Sequence, residues 1–303
     1  MSTLCWNGVG LTTPEDWEPS ALERDGFVLA RGDMPLCELK WRVVHGSFSF
    51  KKHLKRLSKG NKGAEMRPLP ESETPKSWAQ AVGKLEQTGL LAGSFFWKGP
   101  GHDGMGAMLH NPATGLAVLA QFFIRGQHDL DIASEVLSSF RDHTNGKTVP
   151  WTMFGLTARI PSNFVLDTFS FKPGHYRVSY WLPATKKGER LPPGKGKGVS
   201  LVFDRYAPAS VFLKGTSIEA WVTDNMDGAP KSGNGIESGE KKVMWDVVEK
   251  TSLLRRILRR EVYNRGRVWI VDDENTVLGV HARGSIAAPA DQFNGICESY
   301  GIV

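Results

Sequence analysis

The two halves of the sequence repeat an ordered set of landmarks, and this repetition constrains the fold more than any other feature. In each half, Trp, Gly, Leu and Thr recur at one spacing, followed by a proline and an aromatic residue three positions later. The landmarks are Trp6, Gly10, Leu11, Thr12, Pro14 and Trp17 in the first half, and Trp151, Gly155, Leu156, Thr157, Pro161 and Phe164 in the second. We therefore expect two tandem related repeats.

Each half also continues with Trp-containing strand patterns and ends in a helix-like stretch, at 131–143 and at 290–300. The alternative is coincidence, because Trp favours half-buried pleated surfaces in any β-rich chain. The match depends on the order of the landmarks and not on sequence identity, since the halves differ by insertions.

The length of 303 residues suits two domains of ordinary size. The sequence Asn-Gly-Lys-Thr-Val-Pro at 145–150 breaks regular structure and indicates the boundary. We predict a first repeat over 1–147 and a second over 148–303. Within the second, residues 225–242 are rich in Gly, Ser, Asn and Lys, and we expect a mobile loop there.

The predicted fold class is α+β, with each repeat forming an antiparallel sheet and packing its helices on one face. Apolar alternation and turn-rich connections predict strands, and helical spacing of apolar residues predicts helices. The strands expected in the first half are 6–11, 26–31, 37–44, 90–98, 105–110 and 115–124, with helices at 48–59 and 75–87 and a loop at 60–76. Those expected in the second half are 152–159, 165–171, 175–182, 199–204, 217–223, 266–272 and 276–283, with a helix at 243–262.

Positive charge is concentrated in three short segments. Residues 51–62, 184–198 and 250–267 carry net charges of +6, +4 and +6, whereas the whole chain carries only +6. The remainder is therefore acidic, and the three segments predict a positive surface for an anionic partner. The alternative is that these charges are solvated faces of helices and loops.

Two of these segments are amphipathic, with an apolar face that suits docking onto a sheet and a basic face that has few acids to balance it. Like charges at helical spacing repel each other, so an external counterion is expected. The predicted anion- or nucleic-acid-binding residues are Lys51, Lys52, Lys55, Arg56, Lys59, Lys186, Lys187, Lys195, Lys197, Arg255, Arg256, Arg259 and Arg260.

The basic segments favour a non-enzymatic protein that binds nucleic acid or another phosphate-rich partner. An alternative is a protein-interaction or assembly subunit that binds an acidic protein surface. A third alternative is a protein whose basic amphipathic helix binds an anionic membrane surface. The sequence does not predict an oligomeric state.

The sequence contains no convincing local motif for catalysis, metal binding or nucleotide binding. The sequence 99–104 matches G-x-G-x-x-G, but a strand follows it where a dinucleotide site needs a helix. There is no H-E-x-x-H, C-x-x-C or G-x-S-x-G, and we predict no cofactor and no metal. An enzyme whose site is assembled from dispersed residues stays open as a further alternative.

The sequence predicts no transmembrane segment, because no run of about 18 apolar residues occurs. Its N-terminus lacks the features of a secretory signal. Cys5, Cys37 and Cys297 are scattered and odd in number, which fits a reducing compartment. We therefore expect a cytoplasmic protein.

Overall fold

The structure is a computed structural model that describes residues 1–60, 63, 65–184, 196–226, 228–230, 235–249 and 261–303. The chain divides into two compact units, Met1–Thr157 and Ala158–Val303, called unit 1 and unit 2 below. Antiparallel sheets dominate and helices are few, so the predicted α+β class is confirmed at this level. None of the helices in the described ranges is both long enough and apolar enough to cross a membrane.

The strands of unit 1 form a seven-stranded sheet in the order β3-β4-β5-β9-β8-β7-β6 and part of a smaller sheet in the order β10-β2-β1-β11. Its strands are β1 Ser2–Trp6, β2 Val9–Thr13, β3 Glu18–Glu23, β4 Gly26–Arg31, β5 Met34–Val43, β6 Glu65–Pro68, β7 Leu91–Gly99, β8 His102–His110, β9 Leu116–Phe123, β10 Arg141–Asp142 and β11 Thr148–Met153. Its helices are α1 Phe50–Gly60, α2 Lys76–Gln87 and α3 Gln127–Ser138, with a 3₁₀ turn at Glu71–Glu73.

Unit 2 has a seven-stranded sheet in the order β13-β14-β15-β19-β18-β17-β16, and its short strand β20 lies next to β12, which begins at the end of unit 1. The strands are β12 Leu156–Pro161, β13 Val165–Lys172, β14 His175–Pro183, β15 Gly198–Tyr206, β16 Ile236–Ser238, β17 Lys242–Glu249, β18 Val262–Val271, β19 Thr276–Gly284 and β20 Gly301–Ile302. The helices are α4 Ala209–Leu213, α5 Ile218–Asn225 and α6 Ala290–Ser299.

The two segments predicted as single opening strands each contain a tight turn. Asn7 and Gly8 have φ of 44° and 91°, and Phe154 and Gly155 have φ of 54° and 72°. Two consecutive residues with positive φ are typical of the two-residue turn that joins twisted antiparallel strands. Trp6 accordingly pairs with Val9 across the first turn. Residues 6–11 therefore belong to the hairpin β1–β2, and 152–159 to β11 and β12.

The prediction that helices pack on one face of each sheet is wrong for unit 1. Trp78 of α2 contacts Phe122 of β9 at a ring separation of 5.7 Å, whereas α1 packs on Phe95 and Met108. Phe122 and Phe95 project from opposite faces, because Phe122 shares its register with Met105 and Phe96. The central strands carry apolar side chains on both faces, so both faces need cover.

Two element types in unit 2 differ from the prediction. Residues 217–223 were expected as a strand, but Ser217 caps helix α5 by accepting a hydrogen bond from the amide of Ala220 at 3.2 Å. The segment predicted as a helix at 243–262 begins instead as strand β17. Burial alternates along this strand, with Val243 and Trp245 buried and Asp246 exposed. Residues 250–260 of that predicted helix lie outside the described residues, and its last residue, Val262, begins strand β18.

Two predicted loops contain strands. Strand β6 lies within 60–76, and Met66 anchors it by packing in the α1 core cluster. Strand β16 lies within 225–242, where it pairs with β17. Short edge strands of this kind are hard to recognise in a polar sequence, because only one or two of their side chains are buried.

Candidate functional site

Helix α1 forms as its sequence predicts and docks on the β6–β9 part of the unit 1 sheet. Ser49 begins the helix, with its carbonyl accepting the amide of His53 at 3.0 Å. Leu54 is buried against the sheet, and Phe50 and Leu57 pack beside it. A Cβ at Gly93 would meet the ring of Phe50 at 2.9 Å, so the absence of a side chain on β7 permits this close docking.

The outer face of α1 carries an uncompensated positive charge. Its exposed cations are Lys51, Lys52, Lys55, Arg56 and Lys59. In the part of the chain that the structure describes, none of these five cations is within 4.0 Å of a carboxylate, since every recorded ion pair involves other residues. Repulsion at helical spacing costs a few tenths of a kcal/mol per pair. The α1 surface therefore suits an anionic partner.

A cavity of about 540 Å³ lies beside α1 within unit 1. Its walls come from α1, the segment before it and strands β5, β8 and β9. The lining residues are Lys40, Trp41, Arg42, Phe48, His53, Arg56, Leu57, Met108, Ala117, Val118 and Leu119. This volume lies in the range of ordinary ligand pockets. The term "α1 cavity" below denotes this space.

The α1 cavity combines an aliphatic wall with a cationic one. Alternation along β5 places Lys40 and Arg42 on the face that α1 covers, and Arg56 approaches from the helix. No carboxylate occurs among the described lining residues. Lys40 donates a hydrogen bond to Glu38 at 2.7 Å, and this bond raises the pKa of Lys40. The cavity is therefore chemically suited to a group that is apolar in one part and negative in another.

Phe48 fixes the segment that leads into α1. Its ring stacks on His53 at a centroid distance of 4.4 Å and on His110 at 4.5 Å, with interplanar angles of 18° and 10°. The Phe48 ring is therefore stacked against two imidazoles. His110 is buried on β8, and neither of its ring nitrogens has a hydrogen-bond partner among the described residues.

The remaining predicted site residues do not contribute to this site in the described structure. Lys197 lies immediately before β15 in unit 2, where it is exposed. Seven others lie outside the described residues, namely Lys186, Lys187, Lys195, Arg255, Arg256, Arg259 and Arg260. Among the predicted residues that the structure describes, the five α1 cations lie together and Lys197 lies apart from them.

Sequence reasoning missed five polar or aromatic residues of the α1 cavity, namely Lys40, Trp41, Arg42, Phe48 and His53. Lys40 and Arg42 flank the buried Trp41, and this alternation is typical of a half-buried strand. The pattern could have placed both cations on one face of the sheet. Phe48 and His53 sit within the predicted α1 segment but carry no motif. Their role follows only from the packing of α1 on β8.

Unit 2 contains a buried charged cluster around Asp204. Its Oδ1 accepts hydrogen bonds from Nε2 of His175 and Nε of Arg177, each at 2.7 Å, and Nδ1 of His281 lies 3.9 Å from Oδ2. Burial alone would raise the pKa of Asp204, but the hydrogen bonds from His175 and Arg177 outweigh it and hold the pKa below its ordinary value. The cluster links strands β14, β15 and β19 of the unit 2 sheet.

The glycine-rich sequence at 99–104 forms the hairpin turn between β7 and β8. Gly99 pairs with His102 where β7 turns into β8, and Gly101 has a φ of 75°. No helix follows it. Within the described ranges, no three His, Cys, Asp or Glu side chains lie together in a manner that suits a metal ion.

Comparison with known proteins yields only distant likenesses. No protein-family model and no curated protein matches the sequence. Among solved structures, the Ran-binding protein Mog1p of Saccharomyces cerevisiae shares 11% identity at a TM-score of 0.35, over 51% of this chain and 95% of that chain. A mutant of protein Mog1 shares 11% identity at 0.36, over 52% and 97%. Both TM-scores are below 0.5, so neither likeness indicates a function for this chain.

Proposed function

We propose that this chain is a protein-interaction subunit that binds an acidic protein segment through α1 of unit 1. The observation that carries the proposal is the combination of five exposed cations on α1 with an adjacent cavity lined by further cations and no described carboxylate. Complementary charge speeds association and selects partners. A cytoplasmic location stays a prediction.

A protein partner fits this surface better than a nucleic acid. Proteins that hold single-stranded nucleic acids usually offer aromatic faces on which bases stack. At the α1 cavity the Phe48 ring is already stacked against two imidazoles, and Trp41 is buried. The cavity offers aliphatic side chains, which suit an apolar protein side chain. Binding of nucleic acid is therefore the competing hypothesis, and the experiment below compares the two partners.

Fluorescence anisotropy with defined probes tests the proposal. The probes are a labelled poly-glutamate peptide, a single-stranded DNA and a single-stranded RNA. The test protein is the quadruple variant Lys51→Gln, Lys52→Gln, Lys55→Gln and Lys59→Gln. We expect the intact protein to bind the peptide and the variant to bind it about tenfold or more weakly, a loss of at least about 1.4 kcal/mol.

A second quadruple variant with the same change in net charge controls for nonspecific attraction. It carries Lys76→Gln, Lys84→Gln, Lys98→Gln and Lys147→Gln, four exposed sites of unit 1 outside α1. Peptide affinity should be unchanged in this control. Equal losses in both variants would contradict a site on α1. DNA or RNA bound about tenfold more tightly than peptide at about 150 mM salt would instead favour the nucleic-acid hypothesis.

The chain also has features that support a tandem duplication, and we propose one with an offset of 147 residues. The two sheet orders follow the same connection pattern, with β3-β4-β5-β9-β8-β7-β6 corresponding to β13-β14-β15-β19-β18-β17-β16. The opening turns correspond as Gly8 to Gly155. This register replaces the pairing of Gly10 with Gly155 that the sequence landmarks suggest.

Local hydrogen bonds support the same offset. Trp17 donates its amide to the carbonyl of Pro14 at 3.1 Å, and Phe164 donates to Pro161 at 3.0 Å. Trp17 and Phe164 are 147 residues apart, and so are Pro14 and Pro161. With this offset, no insertion is needed between the opening turn and the proline of either half, because Gly8 precedes Pro14 and Gly155 precedes Pro161 by the same interval. The helices differ more, since β6 precedes α2 in unit 1 whereas α4 and α5 precede β16 in unit 2.

A further inference from the structure

The shape and lining of the α1 cavity specify more than a negative partner. A surface that recognises charge alone needs only exposed cations, as on the outer face of α1. Here an aliphatic wall of Leu57, Met108 and Leu119 lies next to Lys40 and Arg42. Pockets that select a ligand typically combine such an apolar wall with a few polar groups that orient it.

We infer that the α1 cavity receives one large aliphatic side chain of the partner, and that carboxylates flanking this side chain in the partner sequence pair with Lys40, Arg42 and Arg56. The inference rests on the proposed function, because it specifies the partner of the same surface. The partner class is thus a short acidic peptide segment with a central leucine-like residue.

The positions of the lining residues support a partner segment in which carboxylates flank a central apolar side chain. Ala117 and Leu119 project from β9 on the same face as Met108 of β8, so they form one continuous wall. Lys40 and Arg42 are adjacent to that wall on β5, because Lys40 pairs with Leu119 and Arg42 with Ala117. Arg56 approaches from α1. An apolar group on the wall therefore has cations within reach on two elements.

Guanidinium groups suit this task because their planar donors match a carboxylate in two-point contact. Arg42 and Arg56 have no carboxylate partner within 4.0 Å in the described part of the chain. The aliphatic wall removes the apolar side chain from water, and the flanking acids neutralise the arginines. Each contribution is separable by changing the peptide.

Three labelled peptides separate the two contributions. The first has glutamates around a central leucine, the second the same glutamates around a glycine, and the third glutamines around the leucine. We expect the leucine peptide to bind about tenfold more tightly than the glycine peptide, and the glutamine peptide to bind more weakly than either. The measurement is anisotropy with each peptide and the intact chain.

Filling the cavity provides the structural test. Ala117→Phe places a ring in the space, and Ala79→Phe adds the same ring at an exposed site of α2 as a matched control. The leucine preference should persist in the Ala79 variant and vanish in the Ala117 variant. If thermal unfolding shows that Ala117→Phe does not fold, Leu57→Gln replaces it, since Leu57 is only partly buried.

The outcomes distinguish the inference from the proposed function. Equal binding of the leucine and glycine peptides, with α1 charges still required, would overturn the inference and leave the interaction role intact. A leucine preference that survives filling of the cavity would also overturn it, because the apolar contact would then lie elsewhere. Failure of all peptides to bind would overturn both.

Discussion

The hydroxyl of Ser139 accepts a hydrogen bond from the amide of Thr12 at 2.8 Å, which links the end of α3 to the opening hairpin of unit 1. The same hydroxyl lies 2.6 Å from the carbonyl of Val136 in its own helix and donates to it. In unit 2, Ser299 accepts from the amide of Arg159 at 2.9 Å and donates to Ile296 at 2.8 Å. One serine thus joins helix to hairpin in each unit.

Because the two serines make the same pair of hydrogen bonds, we expect Ser139→Ala and Ser299→Ala to destabilise the protein by similar amounts, about 1 kcal/mol each. Urea unfolding followed by circular dichroism measures both. Ser138→Ala is the control, since among the described residues the Ser138 hydroxyl bonds only to the carbonyl of Glu135 in its own helix. A loss in one variant and none in the other would contradict equivalent roles and weaken the proposed duplication.

Asp142 should make the stability of unit 1 depend on pH. It accepts hydrogen bonds from Asn111 at 2.8 Å and from the hydroxyls of Thr114 and Thr144 at 2.6 Å. Burial alone would raise the pKa of Asp142, but these bonds outweigh it and hold the pKa below its ordinary value. The stabilisation is therefore present above the ordinary value of about 3.9 and is lost as pH falls through the lowered pKa.

Replacing this carboxylate should remove that dependence. Asp142→Asn should lower the free energy of unfolding by about 1–2 kcal/mol at neutral pH, because a charged acceptor is lost. The difference from the intact protein should shrink in strong acid. Chemical unfolding at a series of pH values measures it, with the exposed Asp33→Asn as control. A difference that persists unchanged in acid would contradict the charge-based explanation.

His110 should weaken the docking of the segment before α1 in mild acid. Burial, and secondarily the neighbouring His53, lowers the pKa of His110 below its ordinary value. As pH falls below about 6.5, the unfolded chain binds a proton that the folded chain does not, so stability decreases. His110→Phe retains a stacking ring and removes the titration.

Thermal unfolding at pH values from neutral to mildly acid tests this expectation. The midpoint of the intact protein should fall more steeply with acidity than that of His110→Phe. At neutral pH the variant should be equally or more stable, because the buried imidazole nitrogens have no described partner to lose. Parallel pH profiles for the two proteins would show that His110 does not control the stack.

The sequence is most informative where one physical rule decides the local structure. Helix α1 was predicted because Phe50, Leu54 and Leu57 recur at helical spacing between cations, and it forms at Phe50–Gly60. Strands β7, β8 and β9 were predicted because turn-rich connections separate apolar runs. Its strands form at the expected positions.

The sequence is least informative where patterns overlap or where tertiary packing decides. Ile218, Trp221 and Val222 are β-favouring residues, yet their spacing and the Ser217 cap make a helix. The α1 cavity depends on contacts between distant positions, such as Phe48 with His110. No local pattern predicts such a contact. The sequence therefore predicted the five α1 cations but not the cavity beside them.

Glu38 should limit the affinity of the α1 cavity for acidic peptides. It accepts a hydrogen bond from Lys40 at 2.7 Å and holds a negative charge near the cationic wall, although it does not line the cavity. Glu38→Gln leaves Lys40 charged, because an ordinary lysine pKa is about 10.4. The variant should bind poly-glutamate about two- to fivefold more tightly at low salt, the scale of an exposed ion pair.

A matched surface pair separates this local effect from the change in net charge. Arg67 and Glu73 form a similar ion pair at 2.8 Å, and neither residue lines the cavity. Glu73→Gln should therefore leave peptide affinity nearly unchanged in anisotropy titrations. The gain in Glu38→Gln should also decline as salt rises, because screening acts on exposed charges. Equal gains in both variants would mean that net charge, and not Lys40, determines binding.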